Sequence, residues 1–381
     1  MYILLGDVYI AAYAAKIIIK GCVYMIKINS KLFMESLKEL KLKTDFNITL
    51  IADSMENVSL VNTDFNTTII KTLSVKSLSN IYTSLSDSTI KLLSKIKCDD
   101  IILEDNTIQA SNKRIKFTFS KSVKKDFIES LLTQKVENEC KLTLNSLLKL
   151  TQVNYAAAKD CTRPILQGVH FNNMNNDFLQ TVSLDGYRLS LRSNKNIEFN
   201  NKCEFTVNND SIIKFQKIAK KYDGDTIVKL ELLEDYLLIS FDNINIYCKL
   251  LEGNFINYKS LLPDYNKKNN LIEIDDIKQA FKDVELISNI SELIKLYNND
   301  SKITLNGNDS ENELNIDTDI NIINWNVNFV AYNPKYLLDA MKNSGYRYLY
   351  FESAVSPAVY TDNLEGNDNI DLILPIRIRN K

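Results

Sequence analysis

One helix–strand unit occurs three times in this chain, at intervals of about 120 residues. Each copy has a polar residue, a short amphipathic helix that bears lysines, a turn and an apolar strand. The copies start near Ser86, Asn208 and Asn333. Ser and Asn side chains accept hydrogen bonds from the free N–H groups of a helix's first turn, so these residues predict helix starts. A repeat of this length is a whole domain rather than a solenoid unit. The chain is therefore predicted to contain three copies of one domain.

A second strand–helix pair precedes each of these units. Alternating apolar strands begin near Ile26, Lys141 and Leu271, and each leads into a segment whose apolar residues are three or four positions apart. Further strand-like runs lie between the two helices of each copy. Each domain is thus expected to hold roughly two helices and about eight strands, an α+β fold. The predicted boundaries are an extension over 1–24 and domains over 25–138, 139–264 and 265–381.

Composition excludes several classes of protein. No apolar run approaches the ~18 residues that a membrane span needs, so no membrane partner is expected. The six cysteines show no C-x-x-C spacing, which favours free thiols in a reducing cytoplasm. With one histidine, His170, the chain has little material for a zinc site, and its Asp-rich pieces are typical of turns. No nucleotide-binding or nucleophile motif occurs. We expect no metal, no cofactor and no catalytic residues.

The charge distribution is more informative than the formal net charge of −2. Five of the six helices expected from the repeats are net positive, and only the one over 275–288 is net negative. Lysines on one helix are usually a solvated face. A positive bias on five helices of an acidic protein instead indicates a basic surface built from helices. Such a surface attracts phosphates without reading bases.

Residues 1–24 precede the first repeat and are largely apolar. Ala12-Tyr13-Ala14 has the small-x-small pattern of a signal cleavage site, but no positive charge precedes the apolar stretch and Asp7 interrupts it. An upstream start-site error or a dispensable extension is the favoured interpretation. An additional structural element and a targeting segment are the alternatives.

Five segments together resemble the bacterial sliding clamp, the β subunit of DNA polymerase III. They are 162–169 (TRPILQGV), 183–189 (SLDGYRL), 252–263 (EGNFINYKSLLP), 331–340 (AYNPKYLLDA) and 372–377 (LILPIR). The resemblance implies three similar domains with two helices inside and antiparallel sheets outside, and a head-to-tail dimer ring around duplex DNA. It implies a non-catalytic, cytoplasmic processivity factor. Its expected partners are a second copy, duplex DNA, the replicative polymerase, the clamp loader and repair proteins, the last three through clamp-binding peptides.

The family's sites, carried over by position, fall into three sets. The partner-peptide groove is expected to comprise Leu166, Leu184, Gly186, Tyr187, Arg188, Leu189, Ile256, Leu261, Val355, Ser356, Leu372, Leu374, Pro375, Ile376 and Arg377. The DNA-facing set is Lys91, Lys95, Lys159, Arg163, Lys214, Lys217 and Lys221. The dimer interface is expected at Phe117, Leu286 and Ile287.

Several departures from the family pattern mark a divergent member. Tyr187 stands where the family often has His, Ile256 replaces a usual Pro, and Ser260 replaces a frequent Arg. The Arg-Pro connection usual after the first helix is missing at 43–50, which leaves open the DNA contacts expected of the first domain at Lys91 and Lys95. Two other functions stay open from sequence alone. One is a monomeric clamp-like decoy, and the other is a metal-dependent nuclease that uses clustered Asp and Glu.

Overall fold

The structure is a computed structural model that describes most of the chain after residue 25. The described residues are 26–42, 44–52, 57–77, 80–104, 107–116, 122–160, 162–174, 178–197, 199–264, 266–299, 302–309, 311–318, 320–366 and 368–378. The extension over 1–24 and Phe117 of the expected dimer interface lie outside them.

The described chain divides into two compact units. The first comprises residues up to 137 together with 228–249. Its helices are α1 (Ser30–Glu39), α2 (Asp87–Leu93) and α3 (Lys125–Leu132). Its strands are β1 (Ile26–Asn29), β2 (Ile48–Ala52), β3 (Asn57–Thr63), β4 (Thr67–Lys76), β5 (Ile81–Leu85), β6 (Asp100–Glu104), β7 (Thr107–Ala110), β8 (Lys113–Lys116), β14 (Ile227–Leu232), β15 (Tyr236–Phe241) and β16 (Ile244–Lys249). One antiparallel sheet has the order β1-β6-β7-β8, and a second runs β5-β2-β3-β4-β16-β15-β14.

The helix starts of this unit follow from their capping residues. The Asn29 side chain accepts a hydrogen bond from the backbone N–H of Leu32, and Ser86 accepts one from that of Thr89. Phe33 and Leu37, four residues apart on α1, are buried because an i, i+4 pair lies on one face of a helix. Both lysine-bearing helices thus bury one face and leave the other to solvent.

The second unit comprises 138–227 and 250–381. Its helices are α4 (Leu144–Thr151), α5 (Asn209–Ala219), α6 (Ile277–Ile290) and α7 (Pro334–Ser344). Its strands are β9 (Asn138–Thr143), β10 (Gly168–Asn172), β11 (Leu179–Leu184), β12 (Arg188–Asn194), β13 (Glu204–Asn208), β17 (Asn270–Glu273), β18 (Ile294–Asn299), β19 (Lys302–Asn308), β20 (Glu313–Thr318), β21 (Asn321–Asn324), β22 (Phe329–Tyr332), β23 (Tyr348–Phe351), β24 (Ala358–Thr361) and β25 (Ile370–Ile373). Short 3₁₀ turns occupy Gln152–Ala156, Pro164–Gln167 and Tyr258–Leu261.

A single nine-stranded antiparallel sheet organises this unit. Its order is β13-β10-β11-β12-β25-β24-β23-β17-β21, and a four-stranded sheet β20-β19-β18-β22 packs beside it. Strands β12 and β25, about 180 residues apart in sequence, pair with Leu189 opposite Leu372 and Ser190 opposite Asp371. The sheet is therefore continuous from the second sequence repeat into the third.

The α+β class with antiparallel sheets is confirmed, and all six expected helices form. The helix expected over 145–159 ends at Thr151 and continues as the 3₁₀ turn Gln152–Ala156. Helix α3 was not predicted. It is short, and its N-cap residue Lys124 makes no side-chain capping bond, so the start signal used for the other helices is missing. The expected domain boundaries stay a prediction.

The dimer-interface expectation for Ile287 is corrected. Ile287 has no exposed surface and packs in the core between α6 and the sheets, beside Gly307, where an added Cβ would lie 2.5 Å from its side chain. A side chain so enclosed cannot reach a partner subunit. Its neighbour Leu286 is 53% exposed and remains available.

The two neighbours should therefore differ sharply in their effect on stability. We expect Ile287→Ala to lower the free energy of unfolding by about 2–5 kcal/mol, because it leaves a cavity in a packed core. Leu286→Ala should change it by less than about 0.5 kcal/mol. Urea unfolding followed by circular dichroism checks both, at a protein concentration where association does not contribute. Equal destabilisation by the two variants would contradict this assignment of the core.

Candidate peptide groove and basic helices

Residues 188–192 of strand β12 alternate between polar and apolar, and this alternation organises the candidate groove. Successive side chains of a strand point to opposite faces of its sheet. Leu189 and Leu191 enter an apolar cluster on one face. Arg188 and Arg192 contact the 3₁₀ turn after α4 or helix α7 on the other face. The sequence Arg-Leu-Ser-Leu-Arg therefore faces two layers at once.

An apolar cluster on the leucine face of β12 contains several of the expected groove residues, and we call it the floor. Its members come from the turn before β10, from β11, β12 and β25, and from the segment after Gly253. Of the expected groove residues it contains Leu166, Leu184, Leu189 and Leu372, with Ile256 packed against it. All except Ile256 are more than nine-tenths buried. The structure thus brings these five together as a buried support.

A tight turn at 185–187 presents Tyr187 at the surface. Gly186 has φ +91°, a conformation that side-chain-bearing residues rarely adopt. The Asp185 carboxylate accepts hydrogen bonds from the backbone N–H groups of Tyr187 and Arg188, at 2.9 and 3.1 Å. Tyr187 is consequently 63% exposed, and its ring stacks on that of Tyr336 with centroids 6.3 Å apart.

Arg188 is fixed by two carboxylates and two aromatic rings. Its guanidinium donates to Asp185 and Asp339, and it lies 4.7 Å from the ring centroid of Tyr336 and 5.4 Å from that of Tyr155. Burial alone would lower the pKa of Arg188, but the hydrogen bond and charge of Asp339, together with the charge of Asp185, raise it above its ordinary value. Arg188 therefore stays charged and presents one orientation.

The sequence did not predict Tyr155, Tyr336 and Asp339 as parts of this site. Tyr336 and Asp339 lie on α7, within the segment 331–340 that carries the family resemblance, so the signal was present without a role attached to it. Tyr155 lies in the 3₁₀ turn that replaced the end of the expected helix. The contacts of these residues with Arg188 could not be predicted from the sequence, because the residues are far apart in the chain and meet only when β12 pairs with β25.

The last described residues run along the end of this sheet. The Leu374 N–H donates to the Tyr187 carbonyl at 2.9 Å, and the Ile376 N–H donates to the Ala331 carbonyl at 2.8 Å. Leu374 and Ile376 are 41% and 39% exposed, Pro375 is half-buried and Arg377 is exposed. The segment 374–377 is therefore held by its backbone while its apolar side chains reach solvent.

The remaining groove residues lie in two loops. Val355 and Ser356 lie in the loop before β24, where Val355 is exposed and Ser356 is half-buried. The first residue of β24, Ala358, pairs with Ile373 of β25. Ser356 bonds within that loop to Ser353. Leu261 is exposed at the end of its 3₁₀ turn, while its neighbour Leu262 packs on the apolar cluster. Leu261 and Val355 thus join Tyr187, Leu374 and Ile376 as exposed apolar members of the expected groove set.

The candidate DNA-facing residues lie on or beside the lysine-bearing helices. Lys91 and Lys95, on and just after α2 in the first unit, are both exposed. In the second unit Lys217 and Lys221 are exposed on and just after α5, and Lys214 is half-buried. Lys159 and Arg163 are exposed in the connection after the turn Gln152–Ala156. Helices α4 and α5 are tied together because the Gln216 side chain donates to the Thr151 carbonyl at 2.9 Å.

His170 has a structural role, as expected. Its ring stacks on Phe255 with centroids 4.3 Å apart, and its Nδ1 lies 3.0 Å from the Thr206 hydroxyl. Burial lowers the pKa of His170 to about 4, so the imidazole is neutral at pH 7. No group of three or more potential metal ligands is found among the described residues. None of the described helices is both long and apolar enough to cross a membrane.

Comparison with known sequences defines the class. Residues 141–257 match the family described as DNA polymerase III beta subunit, central domain, and residues 259–377 match its C-terminal domain. A beta sliding clamp of Streptococcus pneumoniae is 26% identical over 306 residues, which is 78% of each chain. A beta sliding clamp of Borreliella burgdorferi is 27% identical over 161 residues, covering 42% of this chain and 40% of that protein.

Solved structures have the same fold. The beta subunit of Streptococcus pyogenes DNA polymerase superposes with a TM-score of 0.81 at 22% identity, covering 93% of this chain and all of that one. A Pseudomonas aeruginosa DNA polymerase sliding clamp gives 0.79 at 18% identity, with the same coverage. The fold and the matched domains define a DNA polymerase sliding clamp. The chain belongs to the DNA polymerase III beta subunit, or beta sliding clamp, family, as a divergent member.

Proposed function

We propose that this chain acts as a processivity clamp in which two copies close head to tail around duplex DNA and hold partner proteins through the 185–189 and 374–377 surface. Family membership supports a non-catalytic protein that holds its partners on DNA, rather than the nuclease considered as an alternative. It also supports action on DNA with a polymerase, in the cytoplasm. Tethering raises the local concentration of a partner without strong DNA contacts.

Ring closure rests on one observation, the repeated way in which edge strands pair. Two helices recur in each repeat, and each of them is followed by at least three strands. The third strand after the first helix, which we call type 1, is β4, β12 or β20. The third strand after the second helix, which we call type 2, is β8, β16 or β25. Within the chain, a type 1 strand pairs with the type 2 strand of the following repeat, in β4–β16 and in β12–β25. Among the described strands, β20 and β8 each end a four-stranded sheet. By the same rule, β20 of one copy would pair with β8 of the next.

The charges on these two edges are complementary. Strand β8 reads Lys113-Arg114-Ile115-Lys116, and β20 carries Glu313 and Asp317 on its exposed face. Leu314 and Ile316 of β20 point the other way and pack on the core. Unpaired edges invite association, and opposite charges select the partner. The exposed Leu286 on α6 stays a proposed interface residue, as does Phe117, which lies outside the described residues.

The basic helices suit contact with the phosphate backbone rather than with bases. Lys91, Lys95, Lys159, Arg163, Lys214, Lys217 and Lys221 are the proposed DNA-facing residues. Phosphate contacts carry no sequence information, so they allow a protein to slide. Amphipathic helices that bury one face and expose lysines on the other supply such contacts.

The surface above the buried floor suits a short peptide with apolar anchors. Tyr187, Leu374 and Ile376 expose apolar side chains, and concave peptide sites combine apolar walls with few polar groups. The other proposed lining residues are Gly186, Leu261, Val355, Ser356, Pro375 and Arg377, over the floor of Leu166, Leu184, Leu189, Ile256 and Leu372.

Charge reversal at the two edges tests the ring. We expect Arg114→Glu with Lys116→Glu, and separately Glu313→Lys with Asp317→Lys, to raise the dimer dissociation constant at least tenfold. A mixture of the two variants should dimerise again, because the reversed β8 of one variant complements the reversed β20 of the other, and their two native edges also complement each other. Sedimentation equilibrium at micromolar concentration measures the masses. A monomeric wild type would favour the decoy, and variants that dimerise like wild type would reject this interface.

Salt dependence tests the basic helices. Lys217→Glu with Lys221→Glu should weaken retention on primed circular DNA and reduce the slope of log K against log salt by about 1 per lost phosphate contact. The control makes the same charge change at two other exposed lysines, Lys202→Glu with Lys249→Glu. An equal effect of control and test variants would mean that only net charge matters, and the proposed DNA face would be wrong.

Peptide binding tests the groove. Leu374→Ala with Ile376→Ala should weaken binding of a short Gln- and Leu-containing clamp-binding peptide at least tenfold, about 1.4 kcal/mol, without changing Tm. Leu189→Ala should weaken binding and also lower Tm, because it removes buried support. Ile323→Ala, at a similarly exposed residue on β21, is the control. Calorimetry gives the affinities, and unchanged affinity in the 374/376 variant would place the peptide site elsewhere.

A further inference from the structure

A buried polar cluster lies beneath the proposed groove, on the face of β12 opposite the leucines. We define it as Ser190, Arg192, Ser344 and Asp371. The Arg192 guanidinium donates to both carboxylate oxygens of Asp371, at 3.0 and 3.1 Å, and to the Ile370 carbonyl at 3.1 Å. The Ser190 hydroxyl donates to Asp371 at 2.6 Å, and Ser344 bonds to both Asp371 and Arg192. Asp371 is fully buried and Arg192 is 5% exposed.

The cluster joins segments from both matched domains. Ser190 and Arg192 lie on β12 of the central domain, whereas Asp371 on β25 and Ser344 at the end of α7 belong to the C-terminal domain. The Arg192 guanidinium also lies 5.1 Å from the ring centroid of Tyr346. A buried ion pair is weak evidence of stabilisation, because desolvation offsets most of the attraction, and its better-attested use is to fix register.

The junction requires one particular alignment of β12 with β25, and its apolar residues alone do not specify that alignment. A slip of one residue between β12 and β25 would turn leucines away from the floor, so the apolar pattern prevents it. A slip of two residues keeps every leucine and isoleucine on its own face. It would, however, move Asp371 away from Ser190 and leave two buried charges without their partners. The polar cluster thus distinguishes two registers that the apolar pattern treats alike, and the bond from the Ser193 N–H to the Asn369 side chain, at 3.1 Å, favours the same register.

We propose that Arg192 and Asp371 are positioning residues for peptide binding, because they lock the register that sets where Leu374 and Ile376 lie. Strand β25 runs directly into 374–377, so a two-residue slip would displace these side chains by about 7 Å along β12. The Leu374 N–H would then lose the Tyr187 carbonyl. The inference rests on the proposed groove and adds to it the pair that holds its two walls in register.

The test separates positioning from stability. Asp371→Asn should lower Tm and weaken peptide binding at least tenfold, since it removes the charge that pairs with buried Arg192. The double variant Arg192→Leu with Asp371→Leu should recover most of the lost Tm, because apolar residues can replace a buried ion pair. Its peptide affinity should remain at least tenfold below wild type, and the Leu374 amide should lose protection from hydrogen exchange.

The matched control is the exposed ion pair Lys195–Asp368, 2.8 Å apart, which joins the same two segments at the surface. Lys195→Ala with Asp368→Ala should change neither affinity nor exchange. If the double leucine variant fails to fold, Ser344→Ala removes one donor to Asp371 while keeping both charges, and a smaller loss of Leu374 protection is expected. Wild-type affinity and protection in the folded variants would overturn the inference. Absence of peptide binding by the wild type would instead reject the groove itself.

Discussion

The antiparallel ladder between β12 and β25 is the interaction on which the candidate site depends. It joins two strands that are far apart in sequence, and it places the 185–187 turn beside 374–377. Neither segment forms a site alone, because one supplies the exposed ring of Tyr187 and the other supplies exposed aliphatic side chains. The proposed peptide site is therefore formed at a junction between repeats.

The same pairing rule accounts for how three similar repeats can build a closed assembly. An exposed strand edge is a template for association, and proteins must cover it or use it. Here two edge pairs are satisfied inside the chain, at β4–β16 and β12–β25. The remaining edges differ in charge, with a basic β8 and an acidic exposed face on β20. A chain with one edge of each kind would associate head to tail, and closure of that arrangement would pair both of these edges.

Much of the fold was predictable because its signals are local. The capping residues Asn29, Ser86 and Asn208 predicted three helix starts through bonds to their own first turns. Period-2 alternation predicted the strands that begin near Ile26, Lys141 and Leu271, which form as β1, β9 and β17. Helix α3 escaped prediction because it has no side-chain cap. An element was therefore predicted when the residues that determine it lie within a few positions of one another in the sequence.

The site was less predictable because burial and long-range pairing decide it. The family resemblance supplied Leu189 and Leu374 as groove residues, but only the fold separates the buried floor from the exposed apolar residues. Ile287 and Leu286 are adjacent and similarly apolar, yet one is core and the other is surface, since helix rotation is set by packing against β19. Tyr336 and Asp339 became visible only through their contacts with Arg188.

The alternation of apolar and polar residues on β12 has a physical consequence that explains the polar cluster. The apolar floor requires leucines at every second position, and the residues between them must face a packed layer containing α7 and the turn after α4. Apolar residues at 190, 192 and 371 would pack there equally well in two registers. Polar residues with directional bonds accept only one, because a misplaced arginine or aspartate would be buried without its partner. The junction thus gives up part of its possible stability for a unique alignment, and a peptide site formed from both strands depends on that alignment.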